Sequence, residues 1–315
     1  MTKKQKIRLG HSPDPDDAFM FYGLANGAVD PGPFEFEHIL KDIQSLNDWA
    51  QEVKLEVTAI SVHTYPYVQD KYTILSSGAS MGGTALVEYV RQGNNLVSAS
   101  ESGGKHPPAE VTPPTGGLSD VHGPLVVARD EMSLEELSHK KIGIPGEMTS
   151  AFLVLQLALG RFDYEVIMFD EILEAVQEGR VEAGLIIHEG QLTYKDFGLR
   201  CLLDMGKWWY DTTALPLPLG CNVIRRDLGG EALNQISGIL RESILYGLEH
   251  RDEAVEYALQ FGRGLENKQA DEFVGMYVNE WTVDYGPVGR EAVKELLKRG
   301  NEAGIVPAVK QLEFV

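Results

Sequence analysis

Short apolar runs alternate along the chain with helical patterns, and this alternation restricts the fold more than any other feature. Ile7-Arg8-Leu9 leads to a turn and then a helix from about Asp16, with Leu55 to Ile60 as the next strand, which is a βαβ rhythm. Further strands are expected at Tyr72 to Leu75, Leu125 to Ala128, Lys141 to Ile144, Val166 to Phe169, Ala183 to Ile187 and Cys221 to Ile224. Several are apolar on both faces, as a sheet covered by helices on both sides requires. Helices are expected at Ser150 to Leu159, behind a Thr149 cap, and at Ile172 to Gly179, ended by its glycine. From Gly230 the rhythm stops, and Glu231 to Gly262, Ala270 to Trp281 and Arg290 to Lys298 read as consecutive helices. The fold class is therefore α/β with a helical cap at the end.

A chain of 315 residues with 43% hydrophobic content exceeds the usual size of one domain. Its main compositional break is Ser100 to His122, where Gly103-Gly104, Pro107-Pro108, Pro113-Pro114 and Gly116-Gly117 leave little room for helix or strand. That segment reads as a surface excursion, either an insertion in a mobile loop or a lid. A second crossing is expected at Leu215-Pro216-Leu217-Pro218-Leu219-Gly220, whose prolines favour extended backbone. Two crossings imply two lobes: residues 1–122 with 219–315 as the larger, carrying the helical cap, and residues 123–218 as a smaller one inserted into it.

Charge narrows the partners. With 28 basic against 47 acidic side chains the net charge is −19, which repels nucleic-acid phosphates and anionic lipid, so neither is expected as a partner. The basic start, Lys3, Lys4, Lys6 and Arg8, runs into Leu9-Gly10-His11-Ser12 without the roughly 7–15 apolar residues of an export signal. No stretch approaches the roughly 20 apolar residues of a membrane span. Cys201 and Cys221 are too few for a disulfide framework or a cysteine metal site. The expectation is a cytoplasmic protein with free thiols, monomer or homodimer.

Four clusters carry candidate chemistry. The first, His11-Ser12-Pro13-Asp14-Pro15-Asp16-Asp17-Ala18-Phe19, lies where a strand ends and a helix begins; Ser12 and the helix-start amides suit a carboxylate, while the acidic residues also suit plain capping. The second is Ala183 to Gly190, in which an apolar strand delivers His188 at its carboxyl end, where ligands bind in open α/β sheets. A histidine there is either a general base, its ordinary pKa lying near 6.5, or a structural strand-end residue, with Glu189 orienting it or merely solvated. The third, Ile144 to Ala151, offers the Thr149 and Ser150 hydroxyls and spare amides to an oxygen-rich ligand, and a capping turn supplies the same groups. The fourth, Gly78-Ala79-Ser80-Met81-Gly82, matches the G-x-S-x-G nucleophile elbow, with Asp170 and His188 later in the right order; the competing reading is a tight glycine turn. Trp208, Trp209 and Tyr210 suit either stacking on a flat ring or core packing. No H-E-x-x-H, Walker A or G-x-G-x-x-G pattern is present, so neither a metal nor another cofactor is expected.

Several stretches, in order along the chain, resemble the 1,4-dihydroxy-6-naphthoate synthase family of the futalosine route to menaquinone. They are HSPDPDDAFMFY from His11, SGASMG from Ser77, GPLVVAR from Gly123, IPGEMTSA from Ile144, LIIHEGQLTY from Leu185, LPLPLG from Leu215 and RRDL from Arg225. The serine-proline start is also similar to the chorismate dehydratases of the same pathway. The resemblance implies a two-lobed periplasmic-binding-like fold with the ligand between the lobes. It also implies a cofactor-free lyase that converts cyclic dehypoxanthine futalosine, a small carboxylate-bearing substrate, into 1,4-dihydroxy-6-naphthoate. The implied base is His188, with substrate contacts from Ser12, Asp17, Ala59, Ile60, Ser61, Thr149, Ser150, Ala151, Ile187 and Glu189. A chorismate dehydratase and a non-catalytic binding protein of the same fold are the alternatives. The chain departs from the family's usual SPCPNDTF start at Asp14, Asp16 and Ala18, and extra negative charge there opposes a carboxylate ligand unless those groups point away.

Overall fold

The computed structural model describes residues 4–83, 121–261 and 266–315 together with the backbone of strands at Tyr89–Gln92 and Asn95–Ser98. Among the described residues thirteen strands are formed: β1 Gln5–His11, β2 Phe34–Leu40, β3 Val57–Ser61, β4 Tyr72–Ile74, β5 Ser80–Gly82, β6 Tyr89–Gln92, β7 Asn95–Ser98, β8 Leu125–Ala128, β9 Lys141–Ile144, β10 Asp163–Val166, β11 Ala183–Ile186, β12 Arg200–Asp204 and β13 Leu217–Arg225. The first sheet runs β2-β1-β3-β13-β4, with β5 also paired to β13; the second runs β10-β9-β11-β8-β12, and β6 and β7 form a hairpin. Both sheets are mixed. β2, β1 and β3 are mutually parallel and β13 is antiparallel to β3 and β4, while β10, β9 and β11 are parallel and β8 reverses direction.

The interior strands follow their composition. Every residue of β3 and β11 is buried, as strands covered on both faces must be. Pro218 sits inside β13, and it is accommodated because the register with β5 shifts between Pro218 and Gly220, a bulge that needs no proline N–H. One core cluster spans both lobes, joining Ile60, Tyr65 and Tyr72 to Val126, Leu153, Trp209 and Leu296. A second lies between the first sheet and the terminal helices, around Ile7, Phe19, Ile236, Ile244 and Val274. A third, around Val127, Ile172, Val176 and Ile186, fills the outer face of the second sheet. No helix among the described residues is long and apolar enough to cross a membrane.

Where the chain passes from one sheet to the other, backbone meets backbone. A β-carbon on Gly206 would lie 2.1 Å from the His122 carbonyl, and one on Gly123 would lie 2.5 Å from the Gly206 nitrogen. Only glycine fits at this junction. His122 Nε2 donates to the Met276 carbonyl at 2.6 Å and so fastens the junction to the helix Asn267–Tyr277.

Several elements differ from the sequence reading. The strand expected at Val166 to Phe169 is instead Asp163–Val166, pairing with β9 from Asp163–Lys141 to Val166–Ile144. β10 is an edge strand, so its paired residues are largely exposed, and the apolar run marks the following turn, where Ile167 and Phe169 enter the core. The helix expected over Glu231 to Gly262 breaks at His250, whose ring stacks on Tyr246 at 4.0 Å, giving Gly230–Glu249 and Arg251–Ala258. The strands β2 and β12 were not anticipated: β2 is an edge strand with glutamates between its apolar residues, and β12 has only five residues. The excursion read over Ser100 to His122 lies, up to residue 120, outside the described residues.

Candidate active site

A cavity of about 110 Å³ lies between the lobes, and a strand-to-helix turn from each lobe faces it. The first-lobe turn follows β1. His11 is buried at the strand end, its Nδ1–H donating to the Ser12 carbonyl at 3.1 Å and its Nε2 3.1 Å from His38 Nδ1. Burial and the neighbouring His38 push the His11 pKa down to about 3, so the ring is neutral. The Ser12 amide donates to Asp17 Oδ2 at 2.7 Å and its hydroxyl to Asp14 Oδ2 at 3.0 Å. Asp14, Asp16 and Asp17 all line the cavity. Burial raises the Asp17 carboxyl to about 6 against the pull of the Ser12 hydrogen bonds. Asp16 is raised well above the usual carboxylate range by burial first and then by the charges of Asp17 and Asp14.

The second-lobe turn follows β9 and carries no charge at the cavity. Thr149 caps the helix Ser150–Leu159 by accepting from the Phe152 amide at 3.2 Å, and its hydroxyl donates to the Gly146 carbonyl at 2.9 Å. The amides at this helix start have no intrahelical acceptors and favour an anion. The turn is tied across to the first lobe. Ser150 Oγ donates to the Leu219 carbonyl at 2.6 Å and accepts from the His63 amide at 3.2 Å, and His63 Nδ1 donates to the Thr149 carbonyl at 3.1 Å. Asn47, fully buried, accepts from the Ser61 amide at 2.8 Å and donates to Ser61 Oγ at 3.1 Å and to the Met148 carbonyl at 3.3 Å.

The third wall is formed by the turn after β11 and the helix Asn267–Tyr277. Ile187 lines the cavity; His188 and Glu189, both buried, are not among the lining residues. The His188 ring packs edge-on against Phe169 at 5.4 Å between centroids. Gln191, on the same turn, accepts from the Tyr277 hydroxyl at 2.8 Å, which joins the lobes a second time beside the cavity. Burial, then Asp16 and Asp204, push the Tyr277 phenol up, and burial pushes the Cys221 thiol up.

The nucleophile-elbow reading fails on geometry. Ser80 lies in β5, paired with Gly220 of β13, whereas an elbow needs its serine on the turn between a strand and a helix. Gly78 has φ +83 and receives the Asn222 amide so closely that a β-carbon would meet its Nδ2 at 2.1 Å, which is the tight-turn role. Trp209 is fully buried and donates to the Pro216 carbonyl at 3.0 Å, so it packs the core. Among the described residues no group of three or more His, Cys, Asp and Glu is arranged to hold a metal ion.

A profile of the menaquinone-biosynthesis family matches residues 7–93 and 109–302. The chain belongs to this family. A 1,4-dihydroxy-6-naphthoate synthase of Thermus thermophilus is 34% identical over 311 residues, covering 99% of this chain and 100% of that one. A crystal structure of an Archaeoglobus fulgidus protein superposes with a TM-score of 0.81 at 41% identity, covering 96% of this chain and 98% of that one. An alkanesulfonate-binding protein of Xanthomonas axonopodis superposes with a TM-score of 0.65 at 11% identity, covering 98% and 96%, which shows a shared two-lobed, periplasmic-binding-like fold. Membership makes the chain an enzyme of menaquinone biosynthesis.

Of the residues assigned to the site from sequence, Ser12, Asp17, Ala59, Ile60, Ser61, Thr149, Ser150, Ala151 and Ile187 converge on the cavity, and His188 and Glu189 stand next to Ile187 behind it. Asp14 and Asp16, two of the departures from the family's usual start, face the cavity rather than pointing away. The reading missed Asn47, Asn222, Phe273 and Tyr277. Asn47 had a signal, since a polar residue in the apolar stripe of an amphipathic helix, here Ile43–Gln51 with Leu46 and Ala50 buried, must have a partner. Asn222 within a buried strand gave the same signal.

Proposed function

We propose that the chain converts cyclic dehypoxanthine futalosine into 1,4-dihydroxy-6-naphthoate, as a lyase with His188 as general base. The observation that carries this reading is the convergence of Ser61, the Thr149–Ser150–Ala151 turn and Ile187 on one cavity, together with a full-length relative named for that product. A neutral turn with spare helix-start amides suits the substrate carboxylate, and aromatisation with loss of a fragment needs proton removal and stabilisation of developing oxygen charge. The cavity is smaller than the roughly 300–1,000 Å³ of sites for drug-sized ligands. The substrate therefore binds with the lobes apart, and the His188 ring turns from Phe169 toward it as they close.

Turnover by the purified protein and by His188→Ala, followed by ultraviolet absorbance and product mass, tests the reading. Product from the wild type, with at least a ~100-fold loss in the variant, is the expected outcome for removal of a general base. Tight binding without turnover by the wild type would make the chain a binding protein, and turnover of chorismate instead would make it a dehydratase. Undiminished turnover by His188→Ala would move the base elsewhere.

A further inference from the structure

The reading above places the substrate carboxylate but leaves the acidic wall without a task. Asp14 and Asp17 are both engaged by Ser12, and the Asp16 carboxyl lies at the cavity beside them. The described lining residues include no lysine, arginine or histidine to balance these acids. A wall of this kind repels a carboxylate and instead offers oxygen acceptors, and through a protonated carboxyl a donor, to neutral hydroxyl groups.

A second, separate feature on the first-lobe wall makes the same demand. Asn222 is 2% exposed and lines the cavity, and its Oδ1 has no hydrogen-bond partner among the described residues. Its position is fixed, because the side chain packs onto Gly78 and the backbone carbonyl accepts from the Leu75 amide at 2.9 Å. A buried amide oxygen left unpaired costs roughly 1–3 kcal/mol, so a ligand donor that reaches it gains accordingly. Phe273 and Tyr277 complete this part of the lining with aromatic surface, as the carbon face of a hydroxylated ring requires.

We propose that Asp16 and Asn222 form a subsite for a polyhydroxylated, sugar-derived portion of the ligand, separate from the Thr149 turn that takes its carboxylate. The subsite fixes which way round the ligand lies, because each end is acceptable to only one of the two turns. This assignment rests on the proposed substrate class, since it presumes a ligand with a carboxylate at one end and hydroxyls at the other.

The test is calorimetric titration of the full chain with 3-(β-D-ribofuranosyl)benzoate and with its deoxygenated counterpart, 3-(tetrahydrofuran-2-yl)benzoate. The wild type is expected to prefer the hydroxylated probe by about tenfold, the scale of one or two hydrogen bonds. Asp16→Ala and Asn222→Ala each bring the ratio toward one while leaving affinity for the deoxygenated probe within about twofold, because only the hydroxyl contacts are lost. Asp16 lies on a helix's first turn, outside the strands of the sheet, so its variant keeps the test open if Asn222→Ala does not fold. Equal affinities in the wild type, binding of neither probe, or a ratio unchanged in Asp16→Ala would overturn the subsite. Turnover is read separately: a preserved preference without naphthoate product keeps the subsite and removes the reaction, and product formation with equal probe affinities does the reverse.

Discussion

The two turns that face each other across the cavity are built by the same local device and carry opposite chemistry. Each follows a parallel strand and opens a helix. The turn after β1 uses carboxylates on Ser12, Asp17 accepting from its amide and Asp14 from its hydroxyl, so its polar groups are spent locally and its acidic side chains are left facing the cleft. The turn after β9 uses hydroxyls, and Ser150 reaches out to Leu219 and His63 of the other lobe. A strand-turn-helix junction thus fixes where a ligand binds, while the side chains decide which part of the ligand each junction accepts and whether the junction also holds the lobes together.

Asn47→Ala should have the largest effect on this contrast, since it unties the neutral turn by leaving the buried Ser61 amide and weakening the hold on Met148. A loss of about 3 kcal/mol in denaturant unfolding is expected. A loss below about 0.5 kcal/mol would mean that the cross-lobe bonds contribute no net stability. Ser150→Ala, which removes the bonds to Leu219 and His63, should cost about 2 kcal/mol and raise susceptibility of the closed form to opening, read by hydrogen exchange at the Leu219 and His63 amides.

Asp17→Asn sharpens the acidic side through pH. The folded Asp17 carboxyl is raised to about 6 from 3.8, so its contribution to stability is present below pH 3.8 and is lost as pH rises through 6. His11 acts in the opposite sense: its pKa falls from 6.5 to about 3, so its contribution is present above 6.5 and declines as pH falls toward 3. Unfolding titrations between pH 4 and 7 should show Asp17→Asn gaining on the wild type with rising pH, by on the order of 1 kcal/mol. A constant difference across that range would show that the Asp17 carboxyl titrates alike in both states.

Much of the architecture was legible because burial writes itself into composition. β3, β8, β9 and β11 are short and apolar, and no other element explains such runs between helices. Edge strands obscured the pattern, since β10 pairs through exposed residues and its neighbouring apolar run belongs to a turn. At the site, turns were legible where strand ends met capping residues. Phe273 and Tyr277 were not, because helical aromatic residues acquire meaning at a site only when distant segments are brought to the same cavity. The position of His188 behind Ile187 was likewise invisible, as strand alternation places a side chain on a face without saying whether that face is open.

The strand β13 has a consequence for the order in which the molecule can be made. It stands between β3 and β4 in the first sheet, yet among the described residues it is the last strand along the chain. Once residue 204 has left the ribosome, all five strands of the second sheet exist, whereas the first sheet still lacks the strand that joins its halves. Synthesis runs from the amino end and contiguous segments pair sooner than distant ones. The lobe that begins later is therefore the one that can be completed first, and the lobe holding both chain ends closes around it.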